Sequence, residues 1–380
     1  MMYKIAKERL PELYAAISAG KNLYLPVEDA GQCLFEKWSP ESKVCIDCLK
    51  TVKSAKELFF PQSENLISFK ISGKNIDLVE DRDPAEPFVI FGVRACDAKS
   101  FTILDSVFLS DPVDTFYKSR REMGVIVTLA CSEPEETCFC GTFGIDAANP
   151  AGGDVTTWIA GSLLYWKPET EKGEALTKLL GGILEETSAK DEKALETQKE
   201  NIRAILAKLP LADLSVDYFS GERLTEGLND VFYAPQWQEL YKACIACGTC
   251  TFICPTCQCY DIRDFDTGHG IKRFRCWDSC MYSDFTKMAH GNPRTSQLER
   301  FRQRFMHKLV YYPANNDGEY SCVGCGRCLS VCPGNLLKKG EDGKVHIRNI
   351  RDCWGCTACL KECHTGAILY FLGADMGGMG

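Results

Sequence analysis

Twelve of the chain's 23 cysteines fall into three runs that share one spacing, C-x2-C-x2-C-x3-C. Proline follows the first run at Pro255 and the second at Pro333, whereas His364 follows the third. Two-residue gaps let a tight loop place three thiolates around one face of an iron–sulfur cube, and the fourth cysteine then ligates a partner cube. Zinc ribbons also use C-x2-C pairs, but three complete runs favour [4Fe–4S] clusters. The ligands would be Cys244, Cys247, Cys250, Cys254, Cys322, Cys325, Cys328, Cys332, Cys353, Cys356, Cys359 and Cys363.

The three runs can pair in two ways, of which the spacing alone favours the first. Runs two and three are separated by 20 residues, which would make a compact two-cluster ferredoxin module and leave run one alone. Alternatively, run one pairs with run two across a long insertion, residues 255–321, and run three is an appended site. Either arrangement requires at least three [4Fe–4S] clusters.

Four more cysteines lie inside that insertion. Cys257 and Cys259 directly follow run one, and Cys276 and Cys280 lie in "RCWDSC". Four thiols in one segment could bind another cluster or a zinc ion. The alternative is that they are packed or spare thiols. A metal site here would bring the number of sites to four.

Four cysteines in the amino-terminal half accompany predicted strands. Cys96 follows the apolar run "PFVIFGV", and Cys131 ends "GVIVTLAC", with Cys138 and Cys140 close behind. Parallel strands bring their carboxyl ends to one edge of a sheet, where α/β proteins bind cofactors. We therefore expect these four thiols to converge, either as a further cluster site or as buried core cysteines. With the insertion site, this would make five metal sites.

Cys33, Cys45 and Cys48 complete the set. "CIDC" has the spacing of a redox motif, but no strand–turn–helix context supports that function. We interpret these three residues as structural or incidental.

The elements that position the cysteines indicate an α+β chain. "NLISFKIS" alternates as a strand, and "PFVIFGV" and "GVIVTLAC" suit buried strands, with "DAKSFTILDSVFL" as the helix between them. "IAKERLPELYAAISA" and "ILEETSAKDEKALETQKENIRAILAK" have helical periodicity. The fold class is thus an amino-terminal mixed α/β domain followed by a ferredoxin-like multi-cluster domain.

The uneven distribution of cysteines predicts the domain organisation. Seven lie in residues 1–243 and sixteen in residues 244–380. We expect residues 1–225 to form the α/β domain, with the candidate cluster site and a docking surface for a partner. Residues 226–335 would form a ferredoxin-like domain that holds runs one and two and the insertion. Residues 336–380 would be a ferredoxin-like extension with an additional cluster.

Composition excludes several classes of function. A net charge of −8 without a basic block gives no electrostatic footprint for nucleic acid. The apolar runs are too short for a membrane span, and the charged start "MMYKIAKERL" is not a secretory signal. The expected location is the cytoplasm, where clustered cysteines bind metal. No dinucleotide fingerprint, phosphate loop or nucleophile–base pair is visible, so we expect an electron conduit whose flavin lies on a partner subunit.

The ordered set of motifs resembles a known family. "CIACGTCTFICPTCQCYD", "WDSC", "RFRQRFMHK" and "CVGCGRCLSVCP", together with "EPFVIFGVRACDAKSFTILD" and "ACSEPEETCFC", are similar to the beta subunit of sulfhydrogenases. They are equally similar to the A subunit of anaerobic sulfite reductase. The resemblance covers roughly residues 1–335. It implies an iron–sulfur subunit that passes electrons between a subunit binding flavin and NAD(P) and a catalytic redox subunit, with ferredoxin as a further partner.

The resemblance also carries ligand assignments. It implies that runs one and two form a split ferredoxin pair, and it covers Cys257, Cys259 and Cys280 but not Cys276. It further implies a cluster at the set Cys96, Cys131, Cys138 and Cys140.

The carboxyl-terminal segment "DCWGCTACLKECHTGAILYFLGADMGG" departs from this pattern. It resembles the ferredoxin-like part of the beta subunit of adenylylsulfate reductase, which implies an added cluster and a different partner. Two alternatives to electron relay stay open. The chain could itself reduce a sulfur compound at an unusual cluster near Cys257, Cys259 and Cys280, or its clusters could serve only to hold the fold.

Overall fold

The computed structural model describes residues 1–29, 32–48, 51–132, 134–219, 228–329, 337–339 and 345–347. Cys332, the whole third run (Cys353, Cys356, Cys359 and Cys363) and the expected domain boundary near residue 225 lie outside the described residues. The ligand assignments of those cysteines and the three-part division of the chain therefore stay predictions.

A mixed eight-stranded sheet forms the centre of the amino-terminal half, in the order β10-β1-β9-β8-β7-β6-β2-β3. Strands β2, β6, β7 and β8 pair in parallel, and the strands at both flanks pair antiparallel. Its members are β1 (Tyr3–Ala6), β2 (Asn22–Asp29), β3 (Gln32–Lys37), β6 (Phe88–Val93), β7 (Gly124–Leu129), β8 (Val155–Ala160), β9 (Leu163–Pro168) and β10 (Glu185–Glu186).

Helices cover both faces of this sheet. Every residue of β6 and β7 is buried, as their continuous apolar sequences predict for parallel strands. Val89 and Phe91 pack on one face with α1, whereas Phe88 and Ile90 pack on the other with α2. The helices of this half are α1 (Leu10–Ser18), α2 (Ala95–Phe108), α3 (Thr115–Met123), α4 (Glu171–Leu179) and α5 (Ala189–Leu206).

The predicted elements are confirmed, with differences at the starts of two helices. The helix predicted over residues 183–208 begins at Ala189, because Glu185 and Glu186 pair with β1 as β10. Helical periodicity predicts a helix from Ile5, but the helix begins only at Leu10. Residues Tyr3–Ala6 form β1 instead, because their backbone pairs with β9. Local periodicity does not register a pairing partner more than 150 residues away.

A second, antiparallel sheet joins the amino-terminal half to the insertion, in the order β11-β12-β4-β5. Glu64 on β4 is buried between Arg275 of β12 and Arg120 of α3, whose nitrogens lie 2.8 and 2.6 Å from its carboxylate oxygens. This buried charge cluster fixes the sheet against the first domain. The strands are β4 (Ser63–Ser72), β5 (Asn75–Glu80), β11 (Tyr260–Asp266) and β12 (Gly270–Trp277).

The remaining described elements surround the cysteine runs. A helix from Gln297 to Met306 starts with a capping box between Ser296 and Glu299, and it continues through a π turn at His307–Tyr311. β13 (Leu337–Lys339) and β14 (Val345–Ile347) pair as a hairpin between runs two and three. The helices are α6 (Leu228–Phe232), α7 (Trp237–Leu240), α8 (Thr249–Phe252), α9 (Gln297–Met306) and α10 (Tyr312–Asn315).

None of the helices in the described part of the chain has the length and apolar character needed to cross a bilayer.

Candidate metal centres

The described thiols of runs one and two lie close to one another. Burial raises the pKa of the Cys250 thiol, and the nearby Cys328 thiol of run two raises it further. Burial likewise raises the pKa of Cys322 to about 11 and of Cys325 to about 12, and both thiols also feel the charge of Cys254. Thiols from the two runs are therefore within electrostatic range of one another.

Two cations, one on α9 and one in the π turn, lie beside these thiols. Arg304 and Lys308 are each only 6% exposed. An Arg304 Nη2 donates to the Cys250 carbonyl at 2.8 Å, and Lys308 Nζ donates to Thr256 Oγ1 at 2.6 Å. Burial disfavours charge on Lys308, but the Cys254 and Cys257 thiols outweigh it and raise the pKa of the ammonium above its usual value. Because residues about four apart share a helix face, α9 and the π turn that continues it bring both cations to the same side.

The donor set fits [4Fe–4S] ligation. Thiolates are the ligands that iron–sulfur clusters require. Cys254 and Cys325 are buried, the other described cysteines of the two runs are half-buried apart from the exposed Cys247, and the cations Arg304 and Lys308 lie beside them. Within the described residues, neither Arg304 nor Lys308 pairs with a carboxylate, and the Arg304 Nε is buried without a hydrogen-bond partner. Buried cations need a compensating negative charge, and a cluster with its thiolates would provide it.

The insertion cysteines Cys257, Cys259 and Cys280 lie beside run one. A hydrogen bond from the Cys257 thiol lowers the pKa of Cys254, and one from the Cys280 thiol lowers the pKa of Cys259 to about 7. These two hydrogen-bonded thiol pairs extend the run-one neighbourhood into the insertion. Metal ligation by them stays a prediction.

Lys56, from the amino-terminal half, packs against run one and the start of the insertion. It is 2% exposed, and its Nζ donates to the carbonyls of Cys254 at 3.1 Å and Cys257 at 2.9 Å. The ammonium lies 3.8 Å from the centre of the Trp277 ring. Burial lowers the pKa of Lys56 to about 8, and the neighbouring thiols oppose that shift.

Cys276 is placed differently from the other insertion cysteines. It lies on β12, opposite Asp261 of β11 and Ser63 of β4. Burial raises its pKa, and the charges that act on it come from Arg263, Asp261 and Asp278. Among the residues that the structure describes, no other thiol is among the groups that shift the pKa of Cys276.

The four amino-terminal cysteines gather at the carboxyl edge of the central sheet. Cys96 lies at the start of α2 after β6, and Cys131 follows β7. Burial raises the pKa of Cys140 to about 12, and Cys131 and Cys138 raise it further. The pKa of Cys96 is raised by burial, with contributions from Cys325 and Cys131. This set therefore also borders run two. Ligation of a cluster by it stays a prediction.

Two glycines of run two allow this close approach. The Phe139 N–H donates to the Gly324 carbonyl at 2.9 Å. Gly324 and Gly326 have φ values of +59° and +72°, and a Cβ on them would lie 2.4 Å from the Phe139 oxygen and 2.2 Å from the Thr137 oxygen, respectively. Only glycine combines a left-handed backbone with such contact, so "GCG" seats the loop that bears Cys138 and Cys140.

A buried ion pair joins run two to the start of α2. Arg327, 3% exposed, donates to both carboxylate oxygens of Asp97 at 2.6 and 2.8 Å. Its Nε donates to the Thr51 carbonyl at 2.9 Å. The pair lies close to Cys325 and Cys96, since the charges of both thiols raise the pKa of the guanidinium.

Sequence reasoning missed one convergence of thiols. The Sγ atoms of Cys33, Cys45 and Cys48 all lie within 4.8 Å of one another. The available signal was the C-x2-C spacing of "CIDC". Its third member, Cys33, is brought to it by the β2–β3 hairpin and the loop that follows, which the local sequence does not indicate.

Comparison with known proteins identifies the family. Two family models, each described as a 4Fe-4S dicluster domain, match residues 243–336 and 321–367. The chain is 30% identical over 335 residues to sulfhydrogenase 2 subunit beta of Pyrococcus furiosus, covering 88% of this chain and 95% of that protein. It is also 46% identical over 50 residues to an uncharacterised ferredoxin of Methanocaldococcus jannaschii, over 13% of this chain and 65% of the ferredoxin. No solved structure matches the chain. The chain belongs to the family of sulfhydrogenase beta subunits, which are iron–sulfur electron-transfer subunits of oxidoreductase complexes.

Proposed function

We propose that this chain relays electrons in a cytoplasmic complex, between a subunit that binds flavin and NAD(P) and a catalytic redox subunit. Ferredoxin is a further candidate partner. The terminal reaction would be that of a hydrogenase, of a sulfite or sulfur reductase, or of an electron-bifurcating enzyme. The similarity to a sulfhydrogenase subunit supports the assembly into a larger complex.

The observation that carries this proposal is the continuity of the thiol sets. The charge of Cys325 in run two raises the pKa of Cys96 in the amino-terminal set, and the charge of Cys254 in run one raises the pKa of Cys325. Hydrogen-bonded thiols continue from Cys254 to Cys257. Each [4Fe–4S] cluster, when bound, exchanges one electron at a potential that its charge, hydrogen bonds and exposure determine. Adjoining ligand sets suit a chain of such centres.

Side chains of the protein shield parts of the thiol sets from solvent and place positive charge beside them. Cys254 and Cys325 are buried, and Thr249 and Thr251 of α8 are buried beside run one. Arg304 and Lys308 place positive charge next to the thiols and donate to backbone oxygens around them. Burial and fixed donors set the redox potential of a cluster, so these residues would tune each step.

Iron analysis of anaerobically prepared full-length chain tests the proposal. Three ferredoxin-type clusters predict about 12 irons and as many acid-labile sulfides per chain, with reducible signals in EPR spectra. Serine at Cys138 should remove about four irons if the amino-terminal set binds a cluster. Serine at Cys276 is the matched control and should remove none. Zinc in place of iron and sulfide would refute the relay.

One observation favours a second candidate function, catalysis at an unusual cluster. Cys257, Cys259 and Cys280 exceed the ferredoxin ligand set, and Lys56 is buried against them. The isolated chain would then reduce sulfite or another sulfur compound with an artificial electron donor. Turnover without a partner subunit would favour catalysis over relay, and its absence in iron-replete protein would favour relay.

A further inference from the structure

We propose that Cys33, Cys45 and Cys48 bind a single zinc ion, separate from the iron–sulfur ligand sets. Their three Sγ atoms all lie within 4.8 Å of one another. Tetrahedral zinc with Zn–S bonds of about 2.3 Å places its sulfur ligands about 3.8 Å apart. In a [4Fe–4S] cube each cysteine binds a different iron, so the ligand sulfurs stand further apart than around one ion. The spacing of these thiols therefore fits one ion.

The backbone holds the three thiols in place from two directions. Cys33 lies on β3 and is 8% exposed, and its carbonyl accepts a hydrogen bond from the Val52 N–H at 3.0 Å. The Cys45 N–H donates to the Pro26 carbonyl of β2 at 2.8 Å. The Cys48 N–H donates to the Cys45 carbonyl at 3.0 Å, which closes the turn of "CIDC". A metal would thus bind to thiols whose backbone positions are already fixed.

The donor set selects the metal. Three thiolates are soft ligands that favour zinc over magnesium or calcium. A zinc site with three protein ligands keeps its fourth position for a solvent-derived ligand. In the described part of the chain, the Sγ atoms of Cys33, Cys45 and Cys48 form a group of possible metal ligands that includes no cysteine of the iron–sulfur sets. The site is therefore a separate one.

The position of this site gives it a structural role beside the iron–sulfur path. Arg94 follows β6 and is 5% exposed; its guanidinium donates to the Ala130 carbonyl at 2.9 Å and to the Ile46 carbonyl at 3.0 Å. Ala130 precedes Cys131, so Arg94 bridges the zinc loop and the amino-terminal cysteine set. Arg327 of run two also reaches this loop through Thr51. A zinc ion would fix the loop whose carbonyl groups hold both arginines.

Metal analysis of the full-length chain, purified anaerobically without added zinc, tests this assignment. We expect one zinc per chain besides the iron. Loss of an outer partner alone typically lowers metal affinity 10–100-fold, so serine at Cys33 or Cys48 should weaken zinc affinity at least that much and leave the purified variants with little bound zinc. Iron and sulfide should be retained in both variants. C276S, which changes a cysteine on β12, should keep both zinc and iron. X-ray absorption at the zinc edge should show three sulfurs at about 2.3 Å.

Several results would overturn the proposal. Wild-type chain without zinc would refute it, and so would zinc that persists equally in C33S, because the ion would then be adventitious. Loss of iron and sulfide from folded C33S would assign the thiols to a cluster. A disulfide among the three, found by mass spectrometry after anaerobic alkylation, would exclude ligation. If the serine variants do not fold, the zinc-edge spectrum of the wild type decides alone. None of these outcomes depends on whether the chain relays electrons.

Discussion

Replacing Gly326 with alanine should separate the amino-terminal cysteine loop from run two. A Cβ at this position would lie 2.2 Å from the Thr137 oxygen, and Gly326 has a φ of +72°. Both obstacles are backbone features, so no side chain can move to relieve them. The left-handed backbone costs a residue with a Cβ about 1–2 kcal/mol. Overpacking of a filled space costs about 1–3 kcal/mol more. We therefore expect G326A to lose about 2–5 kcal/mol of unfolding free energy.

Gly161 supplies a matched control for this substitution. It has a φ of +59° in the turn between β8 and β9, and a Cβ added there would have no other atom within 4 Å. G161A should therefore lose only the backbone contribution, about 1–2 kcal/mol. The change in unfolded-chain entropy is the same for both variants. The difference between them isolates the contact with Thr137.

Urea denaturation of anaerobically prepared protein, followed by circular dichroism, measures both variants against the wild type. Midpoints at equal slope give the relative stabilities. Iron analysis provides a second measurement: where Cys138 and Cys140 ligate the proposed cluster, displacement of the loop should lower the iron content of G326A and leave that of G161A unchanged. Equal stability and equal iron content in the two variants would refute the proposed role of the close contact.

Three further predictions concern buried charges. D97N leaves the Arg327 guanidinium, which is 3% exposed, without its carboxylate partner. Loss of one partner from a buried pair should lower the free energy of unfolding by about 3–5 kcal/mol, measured by urea denaturation. A loss below about 1 kcal/mol would contradict a buried ion pair. Burial, with the charges of Lys308 and Arg294, lowers the pKa of His307 below its usual 6.5. The unfolded chain then binds this proton more tightly, so the free energy of unfolding should fall as the pH drops below about 6.5; H307Q should flatten that slope, and an unchanged slope would assign it to other groups. R304M removes a buried positive charge and should lower the midpoint potential of an adjacent cluster in EPR titrations, whereas R304K should retain part of it; equal potentials would place the guanidinium outside the reach of any cluster.

Much of the amino-terminal fold follows from local sequence. β6 and β7 are continuous apolar runs, and the helix between them has a clear period, so the parallel core and the edge that holds Cys96 and Cys131 are predictable. The second sheet is only half predictable. The alternation of β4 identifies it as a strand, but its pairing with β12, 200 residues away, depends on the Glu64–Arg275 ion pair and on backbone register.

The candidate sites divide in the same way. The four-cysteine runs have their ligands close together in sequence, so the spacing alone identifies them. Cys33 joins Cys45 and Cys48 only because β2 and β3 form a hairpin and the Val52 N–H bonds to the Cys33 carbonyl. A ligand set assembled by a long loop leaves no local pattern. For this reason the sequence by itself indicates only structural or incidental cysteines at these positions.

The burial of three cations is not apparent from the sequence, and it affects the expected order of the cluster potentials. Lys56, Arg304 and Lys308 look like surface residues in the sequence, yet all three are buried beside run one without a carboxylate partner among the described residues. At the amino-terminal set, by contrast, Asp97 neutralises Arg327, and Arg94 is the buried cation that remains beside Cys131. Positive charge stabilises the reduced state of a cluster, which is the more negative one. Run one should therefore hold electrons at a higher potential than the amino-terminal set. Electrons would then move from the edge of the central sheet toward Cys254 and Cys257, and the titration that tests R304M orders the two potentials.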